Sequence, residues 1–288
     1  MSGGVYRNVS LAVVIPARNE EATIGRCVRS IQTALSKVAL ASADIVVVDD
    51  ASEDLTWERA ADAGARVIRH SEQRGVLGAW HTGVRNTSGH SIMFVDADCV
   101  VGEDCLGFLL GQLSDPHIGL ACGRSMPQDE DSGKLIVRAG IFSSEVLHSV
   151  KLGFVDHAFL PIGRLMLLRR EAWHVENDEL FPCDWVVGLG ALLGGWGVRY
   201  VPRATVYYSV PSSVEESYDD WLRTRIGARS RSRRFTEISG IHLARSFVRV
   251  AVGHPQQAAA WVVMRIRHHL RYLLRSGHGS GDWHRWGL

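Results

Sequence analysis

An α/β fold, with a mostly parallel sheet flanked by helices and a basic helical extension at the C-terminus, is predicted by three features of the 288-residue chain. Short apolar runs recur at 11–15 (LAVVI), 45–48 (IVVV) and 92–95 (IMFV), with the length and β-branched content of strands buried on both faces. Segments with helical spacing of apolar residues lie between these runs, the alternation of parallel βαβ connections. Charge is also partitioned: residues 221–288 carry 13 arginines, no lysine and two acids, a formal +11, which leaves −10 on residues 1–220 of a chain with net charge +1.

The elements follow in order. LAVVI is a strand ended by Pro16, which fixes the turn after it. Ile24, Cys27, Val28, Ile31 and Leu35 line one face of a helix within 20–35. IVVVDD (45–50) is a second strand, and Ser52 is placed to cap the helix that carries Leu55 and Trp57. RVIRH (66–70) is a third strand, and 75–89 is a helix broken at Gly89. SIMFVDADCVV (91–101) reads as a fourth strand with two carboxylates set into apolar surroundings. Residues 102–160 show no clear period. LMLL, within 161–173, is a strand before a turn; 181–197 is a helix with Asp184 at its start; 198–202 and 204–208 are strands. After Pro211 the composition turns arginine-rich and helical, which divides the chain into a body over 1–210 and an extension over 211–288.

Several classes are disfavoured. The 46% hydrophobic content is enough for a core and argues against wholesale disorder. No uncharged apolar run reaches the roughly 18 residues of a membrane span, and MSGGVYRNVS lacks the apolar core of a secretory signal. Five scattered cysteines without CxxC spacing predict a reduced, cytoplasmic chain with no structural zinc. The first turn, IPARNEE, has no GxGxxG, and GxxxxGK[ST], HExxH and GxSxG are absent.

In open α/β sheets ligands bind beyond the carboxyl ends of the strands. Arg18-Asn19-Glu20, Asp49-Asp50 and Asp96-Asp98 all fall at such ends, so one cleft can collect them. Asp96 and Asp98, two residues apart, can face one hard cation such as Mn²⁺ or Mg²⁺; a solvated turn is the alternative. Asp49 and Asp50 can accept hydrogen bonds from a nucleobase or ribose, or can cap the next helix. Arg18 and Asn19 can bind a base or phosphate, or can form an ordinary polar loop. Asp184, beside Trp185, is either a partly desolvated base or a helix-start acid favoured by the dipole.

The order VVIPARNEEATI, IVVVDDASEDLT, RGVLGAWHTGV, IMFVDADC, PIGRLMLLRREAW and FPCDWVVGLGALLGGWGVRYVPRA resembles the family 2 glycosyltransferases of the GT-A fold over about residues 10–208. The resemblance implies an inverting, metal-dependent transferase that moves one sugar from a nucleotide diphosphate sugar, with UDP-sugar the default, to an acceptor hydroxyl. It implies that Pro16, Arg18, Asn19 and Glu20 form the first nucleotide loop and that Asp49 and Asp50 hold base and ribose. It implies that Arg74 and Gly75 line the same site, with Asp96 and Ala97 beside them. Asp98, with Asp96, is the implied Mn²⁺ or Mg²⁺ ligand, and Asp184 the catalytic base. Gly163, Trp185, Arg223 and Arg225 are expected on the acceptor side. The chain departs from the family at Trp80-His81, where Arg-Asn is common, at Cys183, where Glu usually precedes the base, and at Tyr208, near a metal-binding His. A nucleotidyltransferase and a non-catalytic sugar-nucleotide-binding protein are the alternatives.

Six arginines lie between Arg223 and Arg234. In 258–275, Ala259, Val262, Val263, Ile266, Leu270, Leu273 and Leu274 form a stripe flanked by Arg265, Arg267, His268, Arg271 and Arg275. Such a helix can lie on an anionic membrane, at the inner face, where a lipid-linked acceptor phosphate would also suit the arginines. It can equally dock on the core or a second subunit; nucleic acid is disfavoured for want of a fold motif.

Overall fold

The computed structural model describes residues 5–128, 133–153, 163–175, 183–210, 213–215, 217–218 and 239–276. The chain divides into two compact units, residues 1–128 with 148–209 and residues 129–147 with 210–288. The first opens with β1 (Val5–Ala17), α1 (Ile24–Ser36), β2 (Ala39–Asp49), α2 (Thr56–Asp62), β3 (Arg66–Arg69), α3 (Gly75–Arg85) and β4 (Ser91–Val95), the predicted alternation. There follow β5 (Cys99–Val101), α4 (Cys105–Gln112), β6 (Ile118–Pro127), α5 (Leu135–Gly153), which belongs to the second unit as far as Leu147, β7 (Leu165–Arg169), α6 (Cys183–Leu193) and β8 (Gly197–Tyr208).

Eight strands form one sheet in the order β3-β2-β1-β4-β7-β6-β8-β5. β1 runs parallel to β2 and β4, β2 to β3, and β6 to β8. β7 is antiparallel to β4 and β6, and β5 to β8. The sheet is therefore mixed, and its parallel half is the part the βαβ alternation announced. The apolar runs work because their period of two feeds two cores. Val13, Ile15, Val47, Met93, Val95, Leu165 and Leu167 pack on one face with α1 and α4. Val14, Val46, Val48, Ile92, Phe94, Met166 and Leu168 pack on the other with α3 and α6.

Four local expectations are corrected. Residues 91–101 are not one strand: β4 ends at Val95, the chain turns through 96–98 with Cys99 N–H donating to Asp96 O (3.2 Å), and β5 pairs elsewhere, with β8. Ser52 is not a helix cap; its Oγ accepts from Asn19 N–H (3.0 Å), while Asp54 Oδ1 accepts from Thr56 N–H at the start of α2 (3.0 Å). The stretch 102–160 holds α4, β6 and α5; α4 and the first half of β6 are apolar nearly throughout and so give no period to read. Helix α3 stops at Arg85 rather than at Gly89; Gly89 instead lies against β1, where an added Cβ would sit 2.6 Å from Ala12 N.

In the second unit, α7 (Ser239–Gly253) and α8 (Pro255–Ser276) are the long helices. Ala260, Met264 and His268, four residues apart, form the buried face of α8, and Met264 packs with Ile136, Val137 and Ala139. Phe142, Phe247 and Trp261 meet ring to ring at 5.2–5.9 Å. Of the apolar stripe, Val262, Val263, Ile266 and Leu270 are exposed. Burial, helped by Arg265, Arg267 and Arg271, pushes the His268 pKa down to about 4. No helix among the described residues is long and apolar enough to cross a membrane.

Candidate functional site

Because β1, β2, β3 and β4 are parallel, their carboxyl ends share one edge of the sheet. The antiparallel β7 brings its amino end, Gly163-Arg164, to the same edge, with Val95 paired to Leu165. Asp96 N–H donates to Arg164 O (3.2 Å), so Arg164 stands across from the first aspartate of the pair. The Arg164 Nη1 lies 2.8 and 3.0 Å from the two Asp98 oxygens and 3.5 Å from Asp96 Oδ2. Its guanidinium also sits 4.2 Å from the centre of the Tyr208 ring. Tyr208 is there because it ends β8 opposite Cys99. Burial works against the Arg164 charge, but Asp98 and Asp96 outweigh it and raise the pKa.

Asp96, Asp98 and Cys99 place one ligand atom each within 4.8 Å of one another, and Cys99 Sγ donates to Asp98 Oδ1 (3.2 Å). The Arg164 guanidinium lies against both Asp96 and Asp98, and two carboxylates offer oxygen ligands of the kind Mn²⁺ or Mg²⁺ takes. The thiol is a poor third ligand for such hard ions, and burial, reinforced by Asp98 and Asp96, keeps it protonated. Burial raises the Asp96 pKa to about 6; Arg164 opposes the shift, while Asp98, Asp184 and Glu20 add to it. Four carboxylates therefore act on one another in this cleft.

Asp184 enters at the first turn of α6. Its Oδ2 accepts from Gly163 N–H (3.1 Å) and its Oδ1 from Trp185 N–H (3.0 Å). Gly163 adopts φ +81°, a conformation that favours glycine, and a Cβ there would lie 3.4 Å from Ser125 Oγ and 3.5 Å from Lys151 Nζ. Two consecutive residues, Gly163 and Arg164, thus hold the base candidate and the acidic pair respectively. Burial raises the Asp184 pKa, with the Gly163 and Trp185 hydrogen bonds and the Lys151 charge opposing it. Lys151 is buried and lies 5.1 Å from the Tyr200 ring centre; burial lowers its pKa.

The loops after β1 and β2 are cross-linked. Asn19, at φ 55°, accepts Glu53 N–H on its Oδ1 (2.9 Å), and Glu20 N–H donates to Thr56 Oγ1 (2.7 Å). Ala51 has φ 59°, an uncommon conformation for a residue with a Cβ. Asp49 is fully buried, accepting Ser52 N–H on Oδ1 (3.1 Å), with Oδ2 in an ion pair with Arg69 Nε (3.0 Å). Asp50 Oδ1 is hydrogen-bonded to His70 Nδ1 (2.7 Å) and Arg74 N–H (2.8 Å), and Oδ2 accepts Gly75 N–H (2.8 Å). His70 is fixed at its other nitrogen by Thr82 Oγ1 (2.8 Å). The side chains of Arg18, Asn19 and Arg74 are exposed, Pro16 and Glu20 are half-buried, and Ala97 is buried. Burial raises the Glu20 pKa; its hydrogen bond with Thr23 opposes this, and Asp98 adds to it.

Trp80 belongs to the core, 4.8 Å from Phe94 between ring centroids, and His81 meets Trp173 edge-on at 5.4 Å. Arg223, Arg225 and the Cys183 side chain lie outside the described residues. Arg164, Lys151 and His70 are the residues that sequence reasoning missed. Arg164 was within reach: it precedes LMLL by one residue, and an antiparallel pairing of that run with 91–95 puts it beside Asp96.

The family model described as glycosyl transferase family 2 matches residues 12–172. A dolichol-phosphate mannosyltransferase of Pyrococcus furiosus is 33% identical over 196 residues, which cover 65% of this chain and 53% of that protein. The chain thus spans about half the length of that relative. Among solved structures, a Pyrobaculum calidifontis mannosyltransferase in complex with GDP-mannose and Mn²⁺ superposes with TM-score 0.57 at 18% identity, covering 94% of this chain and 80% of that one. The glucosyl-3-phosphoglycerate synthase of Mycobacterium tuberculosis, with Mn²⁺, UDP and phosphoglyceric acid, gives 0.52 at 22% identity, covering 77% and 76%. The fold is thus of the GT-A type, and with more than half of the chain matched by the family model, this protein belongs to glycosyl transferase family 2.

Proposed function

We propose that this protein transfers a single hexose, with inversion, from a nucleoside diphosphate sugar to an acceptor hydroxyl. Asp184 is the general base, and Asp96 and Asp98 are the metal ligands. The observation that carries this reading is the Gly163-Arg164 step, which links the buried carboxylate at the start of α6 to the acidic pair. Burial raises the Asp184 pKa, which makes its carboxylate a better proton acceptor than a solvated one. Asp96 and Asp98 would hold a Mn²⁺ or Mg²⁺ ion, which when bound neutralises charge on the leaving diphosphate. Exposed Arg18, Asn19 and Arg74 face the nucleotide, while Asp49 and Asp50 act chiefly by fixing the loops that present them. UDP-sugar is the first donor to test and GDP-mannose the second, the latter from the ligand of the Pyrobaculum neighbour.

The released product tests this. Incubation with Mn²⁺, donor and candidate acceptors should yield nucleoside diphosphate in step with sugar transfer. Pyrophosphate would mean a nucleotidyltransferase, and tight donor binding without turnover a sugar-nucleotide-binding protein.

The acceptor is proposed to be lipid-linked and met at an anionic membrane surface. Residues 239–276 contain six arginines and no acid. The apolar stripe Val262, Val263, Ile266, Leu270 is exposed in this unit, with exposed Arg267 within it. The protein should float with phosphatidylglycerol vesicles but not with phosphatidylcholine ones, and the double variant Ile266→Asp, Leu270→Asp should lose that binding. A native chain that ignores both vesicles and elutes as a dimer would assign the stripe to a second copy.

A further inference from the structure

We propose that Arg164 is the resident cation of the acidic pair, and that a divalent metal binds by exchange with it. The inference rests on the glycosyltransferase reading and adds a rule for how its metal site fills.

One guanidinium nitrogen, Nη1, touches both Asp98 oxygens at 2.8 and 3.0 Å and approaches Asp96 Oδ2 at 3.5 Å. Those are the oxygens that would coordinate a metal. A dication and a guanidinium cannot share them without strong repulsion at contact distance. Arg164 cannot yield the place by losing its proton, because a guanidinium stays protonated in proteins. It must move instead. The backbone does not need to follow, since Arg164 O is held by Asp96 N–H and the next residue, Leu165, is paired in the sheet. The side-chain torsions can carry the guanidinium off the carboxylates while its stem stays at the cleft. There it meets the donor's diphosphate, an anion its planar fork is suited to bind.

Two consequences follow by linkage. Metal alone binds more weakly than the two aspartates would allow, because the competent form, with Arg164 off the pair, is the minor one. A nucleoside diphosphate engages the displaced guanidinium and favours that form, so metal and nucleotide strengthen each other's binding. The arrangement also keeps the acidic pair charge-compensated while the cleft is empty.

The test is calorimetric titration of the native protein with Mn²⁺ alone and then with UDP present, repeated on Arg164→Gln and Asp98→Asn. Arg164→Gln should bind Mn²⁺ alone about tenfold more tightly than the native chain, and UDP should enhance its Mn²⁺ affinity less. Equal or weaker Mn²⁺ binding by Arg164→Gln overturns the exchange. Should that variant not fold, Arg164→Met, which keeps the apolar stem and removes the charge, should likewise bind Mn²⁺ more tightly than native; equal or weaker binding overturns the proposal in the same way. Asp98→Asn separates the two levels. If it loses the Mn²⁺ binding that the native chain shows, the site stands and only the role of Arg164 is in question. If it binds Mn²⁺ as the native chain does, the acidic pair is not the metal site and both readings fall.

Discussion

Asp184→Asn is expected to lower sugar transfer by about 10³-fold, within the range for loss of a positioned general base, while donor binding and the fold persist. Asn keeps the shape, though its single carbonyl oxygen can accept only one of the Gly163 N–H and Trp185 N–H bonds, which end on different oxygens of the carboxylate. It cannot take the acceptor's proton. Burial raises the Asp184 pKa in the folded chain, so folding disfavours its ionised form. The stability associated with this group is fully present below its unfolded pKa and is lost as pH rises through the raised folded value. At neutral pH the neutral Asn has no charge to desolvate, which offsets the hydrogen bond it loses, and the thermal midpoint should stay near that of the native chain. The same shift sets the pH profile of the native enzyme: transfer should fall as pH drops through a limb above the usual carboxylate range, and the remnant activity of Asp184→Asn should lack it. Transfer at the native rate by the folded variant would remove Asp184 from the reaction.

Asp98→Asn is expected to lower transfer on the order of 10²- to 10³-fold, the usual cost of removing one electrostatic stabiliser of developing charge, and to raise the Mn²⁺ concentration needed for half-maximal rate. Asp98 carries the two shortest contacts to Arg164, at 2.8 and 3.0 Å, so it contributes most of the negative charge at the point where the cation sits. Asp96 approaches the same guanidinium nitrogen only at 3.5 Å and is the weaker anchor. The ordering Asp98 before Asp96 is thus a second expectation from the same geometry. Steady-state kinetics over a Mn²⁺ series on both variants checks it, and an Asp96→Asn variant more impaired than Asp98→Asn would reverse the assignment.

Much of this was legible in the sequence, for definite reasons. The strands that carry the site are buried on both faces, so they appear as unbroken apolar runs, and acids at their ends stand out. That is why the clusters at 18–20, 49–50 and 96–98 could be assigned to one edge of a sheet, whereas Asp184 was joined to them only by the family resemblance. The antiparallel part was less visible. The pairing of β7 with β4, which brings Gly163-Arg164 to the acids, is a long-range register that no local period encodes. The inward engagement of Asp50 was hidden likewise, because it depends on His70 and the 74–75 amides arriving from another loop. In α8 the apolar stripe was read correctly as a stripe, but the helix buries its other face, Ala260, Met264 and His268, with Met264 packed on Ile136, Val137 and Ala139.

The most direct measurement of the central claim is anomalous scattering from crystals grown with Mn²⁺ and UDP. The account predicts a manganese peak coordinated by Asp98 and Asp96, with the diphosphate on the ion, Arg164 turned from the carboxylates to the phosphates, and the nucleoside against residues 16–20 and 74–75. A manganese ion bound elsewhere, or a nucleotide seated away from this edge while Arg164 remains on Asp98, would contradict it.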